Sequence, residues 1–309
     1  MKHWIQAARL RTLPLSVSGI ILGSFYALAN PTQLVLTPTQ VFNWKVFGFA
    51  ILTTLGFQIL SNFANDYGDG VKGTDNEDRI GPMRAIQSGN ISPKAMKNAM
   101  ILTALLTLLS AILLIYFAFK NTNIGYSLFF LTLGIIAIGS AVKYTVGNSA
   151  YGYKGFGDVF VFIFFGWVST IGVNFLYSKQ LDFQLFLPAT AIGLLSVGVL
   201  NLNNMRDETS DAKAGKNTLV VKMGGAKAKK YHYFLVFTPM VLVLVFALNY
   251  NAIGFRIDQY AFLVAYFPLL SHLKTVRDCQ NPRDLDPQLK KLAISTFLLS
   301  LILALVLIF

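Results

Sequence analysis

Nine long apolar runs constrain the fold of this chain more than any other feature of its sequence. They lie at residues 13–30, 46–64, 97–119, 125–142, 157–177, 184–202, 232–249, 258–273 and 292–309. Helices formed by runs of this kind can cross a hydrocarbon core of about 30 Å. None of the runs alternates polar and apolar residues as a membrane β-strand would. The sequence therefore predicts an all-α polytopic membrane protein with nine transmembrane helices.

The composition agrees with that fold class. Of the 309 residues, 54% are hydrophobic and only 13% are charged, which excludes an ordinary soluble enzyme. We expect a single transmembrane domain over residues 1–309. Residues 1–12 are interpreted as an amphipathic segment leading into the first span, because they lack the apolar core and cleavage site of a signal peptide.

The positions of the basic residues predict the topology. With a cytoplasmic N-terminus and nine spans, 22 of the 26 lysines and arginines lie on the cytoplasmic side. The four on the outer side are Lys45, Lys120, Lys179 and Arg256. This asymmetry indicates a multi-pass protein of the cell (inner) membrane with its N-terminus in the cytoplasm. It also explains the net charge of +12 by contact with anionic lipid, without a nucleic-acid partner.

Two acidic clusters follow the second and the sixth span, both on the predicted cytoplasmic side. Of the 14 carboxylates in the chain, five lie within residues 66–78 and three within residues 207–211. Like charges this close together at a membrane edge are costly and indicate a functional site. Because the two clusters follow spans that lie four apart, we expect them to meet at one central cavity between the helices.

Asparagine and aspartate recur at four-residue intervals in both clusters. The residues concerned are Asn65 and Asp69 in the first cluster, and Asn203, Asp207 and Asp211 in the second. Residues four apart share one face of a helix, so each set would point in one direction if its segment stays helical. Glycines at positions 68, 70 and 73 predict that the first helix ends before Asp75.

These residue types fit a metal-bound diphosphate. Carboxylate and amide oxygens are ligands of Mg²⁺, which usually also bridges to substrate phosphates. Basic side chains between the acidic ones would face phosphate oxygens. They are Lys72, Arg79, Arg84, Arg206, Lys213 and Lys216.

The sequences around both clusters resemble a known family. Residues 65–75 (NDYGDGVKGTD), with 79–84 and 87–89, are similar to the first motif of the UbiA superfamily of intramembrane prenyltransferases. Residues 204–211 (NMRDETSD), with 215–219, resemble its second motif. The six-residue spacing from Asp69 to Asp75, with segments 8–14, 144–145 and 155–166, fits the branch that prenylates 1,4-dihydroxy-2-naphthoate in menaquinone biosynthesis.

The resemblance implies a reaction. A polyprenyl group would pass from polyprenyl diphosphate to 1,4-dihydroxy-2-naphthoate, with loss of CO₂ and pyrophosphate, to give demethylmenaquinol. Two alternatives remain open at this stage. One is a prenyltransferase for another aromatic acceptor, such as 4-hydroxybenzoate, homogentisate or chlorophyllide. The other is a divalent-cation transporter, although a transporter would carry carboxylates deeper inside its spans.

The resemblance also implies roles for individual residues. The predicted ligands of Mg²⁺ are Asn65, Asp66, Asp69, Asp75, Asn203, Asp207 and Asp211, of which Asn65, Asp69, Asp207 and Asp211 are also assigned as catalytic. The predicted substrate-binding residues are Lys72, Arg79, Arg84, Tyr144, Lys154, Asp158, Arg206 and Lys216. Arg79 and Arg84 are alternatives for the naphthoate carboxylate, and Lys143 is an alternative to Lys154. Asp158 could instead stabilise the start of its helix.

Overall fold

The chain is helical throughout the part that the structure describes. The structure, a computed structural model, describes residues 1–30, 42–75, 80–120, 123–250 and 257–309. The helices within these ranges are α1 (Lys2–Ala8), α2 (Leu13–Ala29), α3 (Trp44–Lys72), α4 (Pro93–Phe119), α5 (Ile124–Lys143), α6 (Gly157–Ser178), α7 (Phe186–Arg206), α8 (Glu208–Lys213), α9 (Leu219–Met223), α10 (Gly225–Tyr250), α11 (Tyr266–Asp278) and α12 (Asp286–Ile308). These ranges contain no strand, which confirms the predicted fold class.

Eight helical segments in these ranges are long and apolar enough to cross a membrane, against nine predicted spans. Seven of them contain α2 to α7 and α10, and the eighth contains α12. The difference lies at residues 258–273. There the chain forms a 3₁₀ helix, Ile257–Ala265, followed by the short α11. Helix α11 carries Lys274, Arg277 and Asp278 in its second half, so little of it is apolar.

Contacts between helix ends agree with the predicted alternation of the spans. At one end of the bundle, Arg11 from the start of the chain forms an ion pair of 3.1 Å with Asp286 at the start of α12. At the other end, Asn30 after α2 accepts a hydrogen bond of 3.1 Å from Tyr250 at the end of α10. Both acidic clusters lie at the first of these ends.

Helices differ in how much protein covers them. The most apolar stretch of α7 is 67% buried within the protein, whereas that of α5 is only 6% buried. Leu105 on α4 and Phe129 on α5 are 60% and 62% exposed. In a membrane these faces contact lipid, because hydrocarbon tails are as apolar as leucine. The core that positions the site is therefore built on α7, α2, α10 and α12.

A small residue lets α2 approach α6 closely. The middle of α6, residues Phe162–Gly172, is a π-helix. A Cβ atom added at Gly23 of α2 would lie 2.2 Å from the carbonyl oxygen of Thr170 in this segment. The neighbour is backbone and cannot rotate away, so position 23 accepts no side chain without a shift of one helix.

We therefore expect Gly23→Ala to destabilise the protein by about 1–3 kcal/mol, the usual cost of overpacking. The measurement is thermal unfolding of the purified protein in detergent. Gly48→Ala on α3 is the matched control, because a Cβ atom there meets nothing within 4 Å. That control should be neutral or stabilising by up to about 1 kcal/mol. Equal melting temperatures for the two variants would contradict the close packing of α2 on α6.

Two histidines that are far apart in the sequence pair inside the bundle. His232 on α10 and His272 on α11 lie with their Nε2 atoms 2.8 Å apart, and both side chains are fully buried. Asn201 and Gln288 contact their Nδ1 atoms at 3.2 and 2.9 Å. This chain of hydrogen bonds joins α7, α10, α11 and α12 and satisfies polar groups that burial would otherwise leave unpaired.

Candidate active site

A cavity of about 330 Å³ lies between α2, α3, α4, α5, α6 and α7. Its polar end is lined by residues from both predicted clusters, together with basic side chains. These residues are Asn65, Asp69, Arg84, Tyr144, Asn203 and Lys216. The rest of its wall is largely apolar, with Leu114, Phe130, Phe164 and Val168 among the lining residues. The cavity therefore has a charged end and a hydrocarbon-like body.

The first cluster leaves its helix before Asp75, as its glycines predict. Helix α3 continues through Gly68 and Gly70 to Lys72, and it ends at Gly73, whose φ of 73° is the left-handed conformation that glycine favours. Gly68 serves packing instead, because a Cβ atom there would lie 2.8 Å from the carbonyl carbon of Thr145. Asp75 follows the helix end, as predicted.

Asp69 is a buried carboxylate of the polar end that contacts both Tyr153 and Lys216. It is 2% exposed. Its Oδ1 atom accepts a hydrogen bond of 2.7 Å from the hydroxyl of Tyr153, and its Oδ2 atom lies 3.5 Å from Nζ of Lys216. The hydroxyl of Tyr153 also lies 2.6 Å from Oγ1 of Thr74. Three segments of the chain thus hold Asp69 in one orientation.

Lys216 joins the two acidic clusters. Its Nζ atom lies 3.5 Å from Asp69 and 3.6 Å from Oδ1 of Asp211. Burial by itself lowers the pKa of Lys216, but Asp69 and Asp211 outweigh burial and raise its pKa above the ordinary value. The lysine is therefore charged at neutral pH. One cation thus contacts a carboxylate from each cluster. The two clusters therefore meet, as expected from the sequence.

The second cluster is not one continuous helical face. Helix α7 ends at Arg206, and Asp207 leaves the helical conformation with φ −98° and ψ 9° before α8 begins at Glu208. The predicted common face of Asn203, Asp207 and Asp211 is therefore broken. Asn203 lines the cavity, and Asp211 reaches Lys216 from α8.

The side chain of Arg206 binds residues on either side of its own position in this broken segment. Its side chain is 1% exposed and donates to both carboxylate oxygens of Asp207, at 2.8 and 2.6 Å. It also donates to Oδ1 of Asn203 at 2.9 Å and pairs with Asp286. The sequence predicted Arg206 as a phosphate ligand and Asp207 as a metal ligand, but here the two side chains bind each other. Neither lines the cavity, and both roles remain predictions.

Three more predicted residues support the chain around the first cluster. Asp66 accepts hydrogen bonds from the backbone amides of Ala85 and Ile86, at 3.2 and 3.3 Å. Lys72 donates to the carbonyl oxygen of Thr145 at 2.8 Å. Asp75 lies 3.8 Å from Nε of Arg84. None of Asp66, Lys72 and Asp75 lines the cavity.

The remaining predicted residues fall into three groups. Tyr144 and Arg84 line the cavity. Lys154 is exposed, whereas Asp158 is buried at the start of α6 and accepts a hydrogen bond of 3.1 Å from Tyr231. Asp158 thus has the helix-start position that the sequence offered as its alternative role. Arg79 lies outside the described residues.

Tyr153 is the residue of this site that the sequence analysis missed. Besides its hydrogen bond to Asp69, its ring lies 3.9 Å from Nζ of Lys72 and 5.5 Å from Nζ of Lys216. Such cation–π contacts stabilise both ammonium groups. Nothing in the loop marked this tyrosine above its neighbours Tyr151 and Tyr144, since its role depends on contacts 84 residues away in the chain.

We expect Tyr153→Phe to lower kcat/KM for the reaction of this site about 10-fold, because it removes one hydrogen bond to a charged group and keeps the ring. Steady-state kinetics with the substrate pair proposed below would measure the effect. Tyr233→Phe is the control, because the hydroxyl of Tyr233 binds the carbonyl oxygen of Leu273 away from the cavity. Unchanged kinetics for Tyr153→Phe would show that Asp69 needs no such support.

The donor set of the polar end suits a hard divalent cation. Asn65, Asp69 and Asp211 offer amide and carboxylate oxygens, which Mg²⁺ prefers. Within the described ranges, no three His, Cys, Asp or Glu side chains already form a metal-binding group. The two carboxylates converge on a single positive charge, that of Lys216. They fit a cation held jointly with a substrate's phosphate oxygens, which complete the ligand shell of bound Mg²⁺ in many enzymes.

Comparisons with known proteins agree with this site. The sequence profile of the UbiA prenyltransferase family matches residues 22–297. The chain is 41% identical over 306 residues to the 1,4-dihydroxy-2-naphthoate octaprenyltransferase of Haemophilus influenzae, covering 99% of this chain and 95% of that protein. It is 44% identical over 245 residues to the Escherichia coli protein of the same name, covering 79% and 76%.

Solved structures show the same fold. A UbiA homolog from Archaeoglobus fulgidus, bound to DMAPP and Mg²⁺, superposes with a TM-score of 0.61 at 15% sequence identity. The superposition covers 99% of each chain. At this identity the likeness concerns the fold alone, whereas the sequence matches extend through both acidic clusters. This chain belongs to the UbiA prenyltransferase family.

Proposed function

We propose that this protein transfers a polyprenyl group from polyprenyl diphosphate to 1,4-dihydroxy-2-naphthoate, and that the reaction depends on Mg²⁺. The observation that carries the proposal is the cavity itself, with Asp69 and Lys216 at its charged end and an apolar body beside them. Asp211 lies 3.6 Å from Lys216. A diphosphate with a long hydrocarbon tail matches both parts. The names of the two bacterial relatives support the naphthoate acceptor.

The charged end would bind the diphosphate. Asn65, Asp69 and Asp211 would hold Mg²⁺, which when bound neutralises phosphate charge and assists departure of pyrophosphate. Lys216 and Arg84 would face phosphate oxygens directly. As the bond from the allylic carbon to oxygen breaks, negative charge grows on the leaving group, and these fixed cations stabilise it.

The naphthoate then forms the new carbon–carbon bond. The ring carbon that bears the carboxylate attacks the allylic carbon, and a carbon–carbon bond forms as the carbon–oxygen bond breaks. The carboxylate leaves as CO₂, and its bonding electron pair returns to the ring. The products are demethylmenaquinol, CO₂ and pyrophosphate. Tyr144, on the cavity wall, would flank the cationic allylic group with its electron-rich ring face.

The apolar body of the cavity would hold the prenyl tail. Leu114, Phe130, Phe164 and Val168 present hydrocarbon and ring surface, which solvates an isoprenoid chain as lipid does. We infer that the polar end faces the cytoplasm of the cell, because most basic residues lie at this end. The water-soluble substrates and Mg²⁺ would enter from that side.

A prenyl-transfer assay tests the proposal. Purified protein in detergent is incubated with farnesyl or longer prenyl diphosphate, 1,4-dihydroxy-2-naphthoate and Mg²⁺, and the prenylated quinone and CO₂ are measured. We expect both products, and their loss when EDTA is added. Activity with 4-hydroxybenzoate or homogentisate alone would refute the naphthoate acceptor. Absence of transfer to every acceptor, with Mg²⁺ flux into liposomes, would favour a transporter and refute the enzyme.

A further inference from the structure

A line of polar side chains on α3 continues from the charged end of the cavity into the membrane. Gln58, Asn62, Asn65 and Asp69 are spaced four, three and four residues apart, which places them on one face of the helix. Gln58 lies seven residues, or about 10 Å of helix, from Asn65. The diphosphate and metal chemistry uses only the last two members of this line. Gln58 and Asn62 have no part in it.

Hydrogen bonds fix which way the amide of Gln58 points. The hydroxyl of Thr12 donates to the carbonyl oxygen of Arg9 at 3.0 Å, so its oxygen acts as an acceptor towards Gln58. Nδ2 of Asn62 donates to the carbonyl oxygen of Ala8 at 2.9 Å, so its Oδ1 atom also acts as an acceptor. Both acceptors face Nε2 of Gln58, at 3.5 and 3.4 Å. Oε1 of Gln58 must therefore point the other way.

This orientation leaves a buried hydrogen-bond acceptor, the Oε1 atom of Gln58, on the cavity wall. Gln58 lines the cavity, and its Oε1 atom is buried and has no hydrogen-bond partner among the described residues. A buried carbonyl oxygen without a donor costs about 1–3 kcal/mol. A prenyl tail carries no donor and cannot relieve this cost. An aromatic acceptor with hydroxyl groups can.

The same hydrogen bonds fix the backbone of a cationic residue, Arg9, that lines the cavity with Gln58. Arg9 adopts the left-handed conformation, with φ 53° and ψ 59°, which is unfavourable for a residue with a side chain. The bonds from Thr12 to Arg9 and from Asn62 to Ala8 pin the backbone at this turn. Arg9 lines the same cavity. Backbone strain of this kind persists where the surroundings impose it and is often found at functional sites.

We infer that Gln58 and Arg9 form the binding site for the aromatic acceptor: Gln58 accepts a hydrogen bond from a ring hydroxyl, and Arg9 faces the carboxylate. The inference rests on the proposed function and adds to it residues that select the acceptor. It places the naphthoate deeper in the membrane than the diphosphate, on the α1–α2 side of the cavity. Arg84, one of the two arginines predicted for the naphthoate carboxylate, would then serve the diphosphate.

Gln58→Met tests the hydroxyl contact, because methionine keeps the length of the side chain and removes the acceptor. We expect KM for 1,4-dihydroxy-2-naphthoate to rise about 10-fold, as for one lost hydrogen bond, with KM for the prenyl diphosphate within about 2-fold. Inhibition by 1-hydroxy-2-naphthoate and by 2-naphthoate provides the sharper readout. The wild type should prefer the hydroxylated inhibitor, and Gln58→Met should lose that preference. Gln184→Met, on the exposed surface, is the matched control and should change nothing.

Arg9→Asn tests the carboxylate contact without adding strain, because asparagine tolerates the left-handed conformation. We expect KM for the acceptor to rise about 10- to 100-fold, as for a charge-assisted hydrogen bond, while the melting temperature stays equal or rises. Inhibition by 1-naphthol, which has no carboxylate, should be unaffected.

These results separate the inference from the proposed function. An inactive wild type would refute the proposed function itself. An active wild type, with Gln58→Met keeping both its acceptor KM and its preference for the hydroxylated inhibitor, would refute the inference alone. If Gln58→Met lost affinity equally for the prenyl diphosphate and for the naphthoate, Gln58 would only support the cavity wall. That result would also overturn the inference.

Discussion

Asp69→Asn should lower kcat for prenyl transfer by at least about 10²–10³-fold, the loss seen when a principal electrostatic contact to a transition state is removed. The substitution keeps the shape of the side chain and an oxygen for Tyr153. It removes the negative charge that balances Lys216 at 3.5 Å and that would hold a divalent cation. Since the pyrophosphate cannot leave without positive charge around it, we expect both catalysis and the response to Mg²⁺ to fail.

The measurement is the initial rate of prenylated quinone formation over a range of Mg²⁺ concentrations. Asp182→Asn is the matched control. Asp182 is a carboxylate between α6 and α7 that accepts a hydrogen bond from Tyr26, but it lies at the opposite end of the bundle. That variant should retain wild-type rates. If Asp69→Asn kept more than a tenth of the wild-type rate with an unchanged Mg²⁺ dependence, Asp69 would not be the centre of the site.

Arg206→Met should destabilise the fold by about 3–5 kcal/mol, because removal of one partner leaves buried charge uncompensated. Arg206 is 1% exposed and holds Asp207, Asn203 and Asp286 together. For a protein of this size, we expect a fall in melting temperature of roughly 10 °C. The loss should appear whether or not substrate is present, since Arg206 itself does not line the cavity.

Thermal unfolding in detergent can be followed with a thiol-reactive dye. Cys279 is the only cysteine of the chain and is 9% exposed in the folded protein, so labelling reports unfolding. Lys97→Met, at an exposed cation of α4, is the control and should melt with the wild type. A normal melting temperature for Arg206→Met, with a raised KM for prenyl diphosphate, would instead establish Arg206 as the phosphate ligand predicted from the sequence.

The two sequence motifs, residues 65–75 and 204–211, predicted the location of the site better than the role of each residue in it. Asn65, Asp69 and Asn203 reach the cavity as the spacing implied. Asp66, the residue after Asn65, carries the same charge as Asp69 but binds backbone amides instead. Helical periodicity separates Asp66 from its neighbour Asn65, since adjacent residues in a helix face different ways, but it does not separate Asp66 from Asp69 three residues on.

Contacts between distant parts of the chain decided the rest. Arg206 pairs with Asp286 across 80 residues of sequence, and Tyr153 binds Asp69 across 84. Gln58 meets Thr12 across 46 residues. A carboxylate or an amide takes whichever partner the fold brings within about 3 Å, and residue type alone does not name that partner.

The amino-acid sequence by itself determined the membrane-spanning helical fold, the alternation of the spans, the family and the two polar segments of the site. These depend on local properties: the length of an apolar run, the placement of basic residues and the spacing of motif residues along a helix. Only the tertiary structure decided that Lys216 joins the clusters, that Arg206 neutralises Asp207, and that Gln58 presents an acceptor to the cavity. Those outcomes depend on which side chains meet when the helices pack, and burial makes a polar group that finds no partner costly.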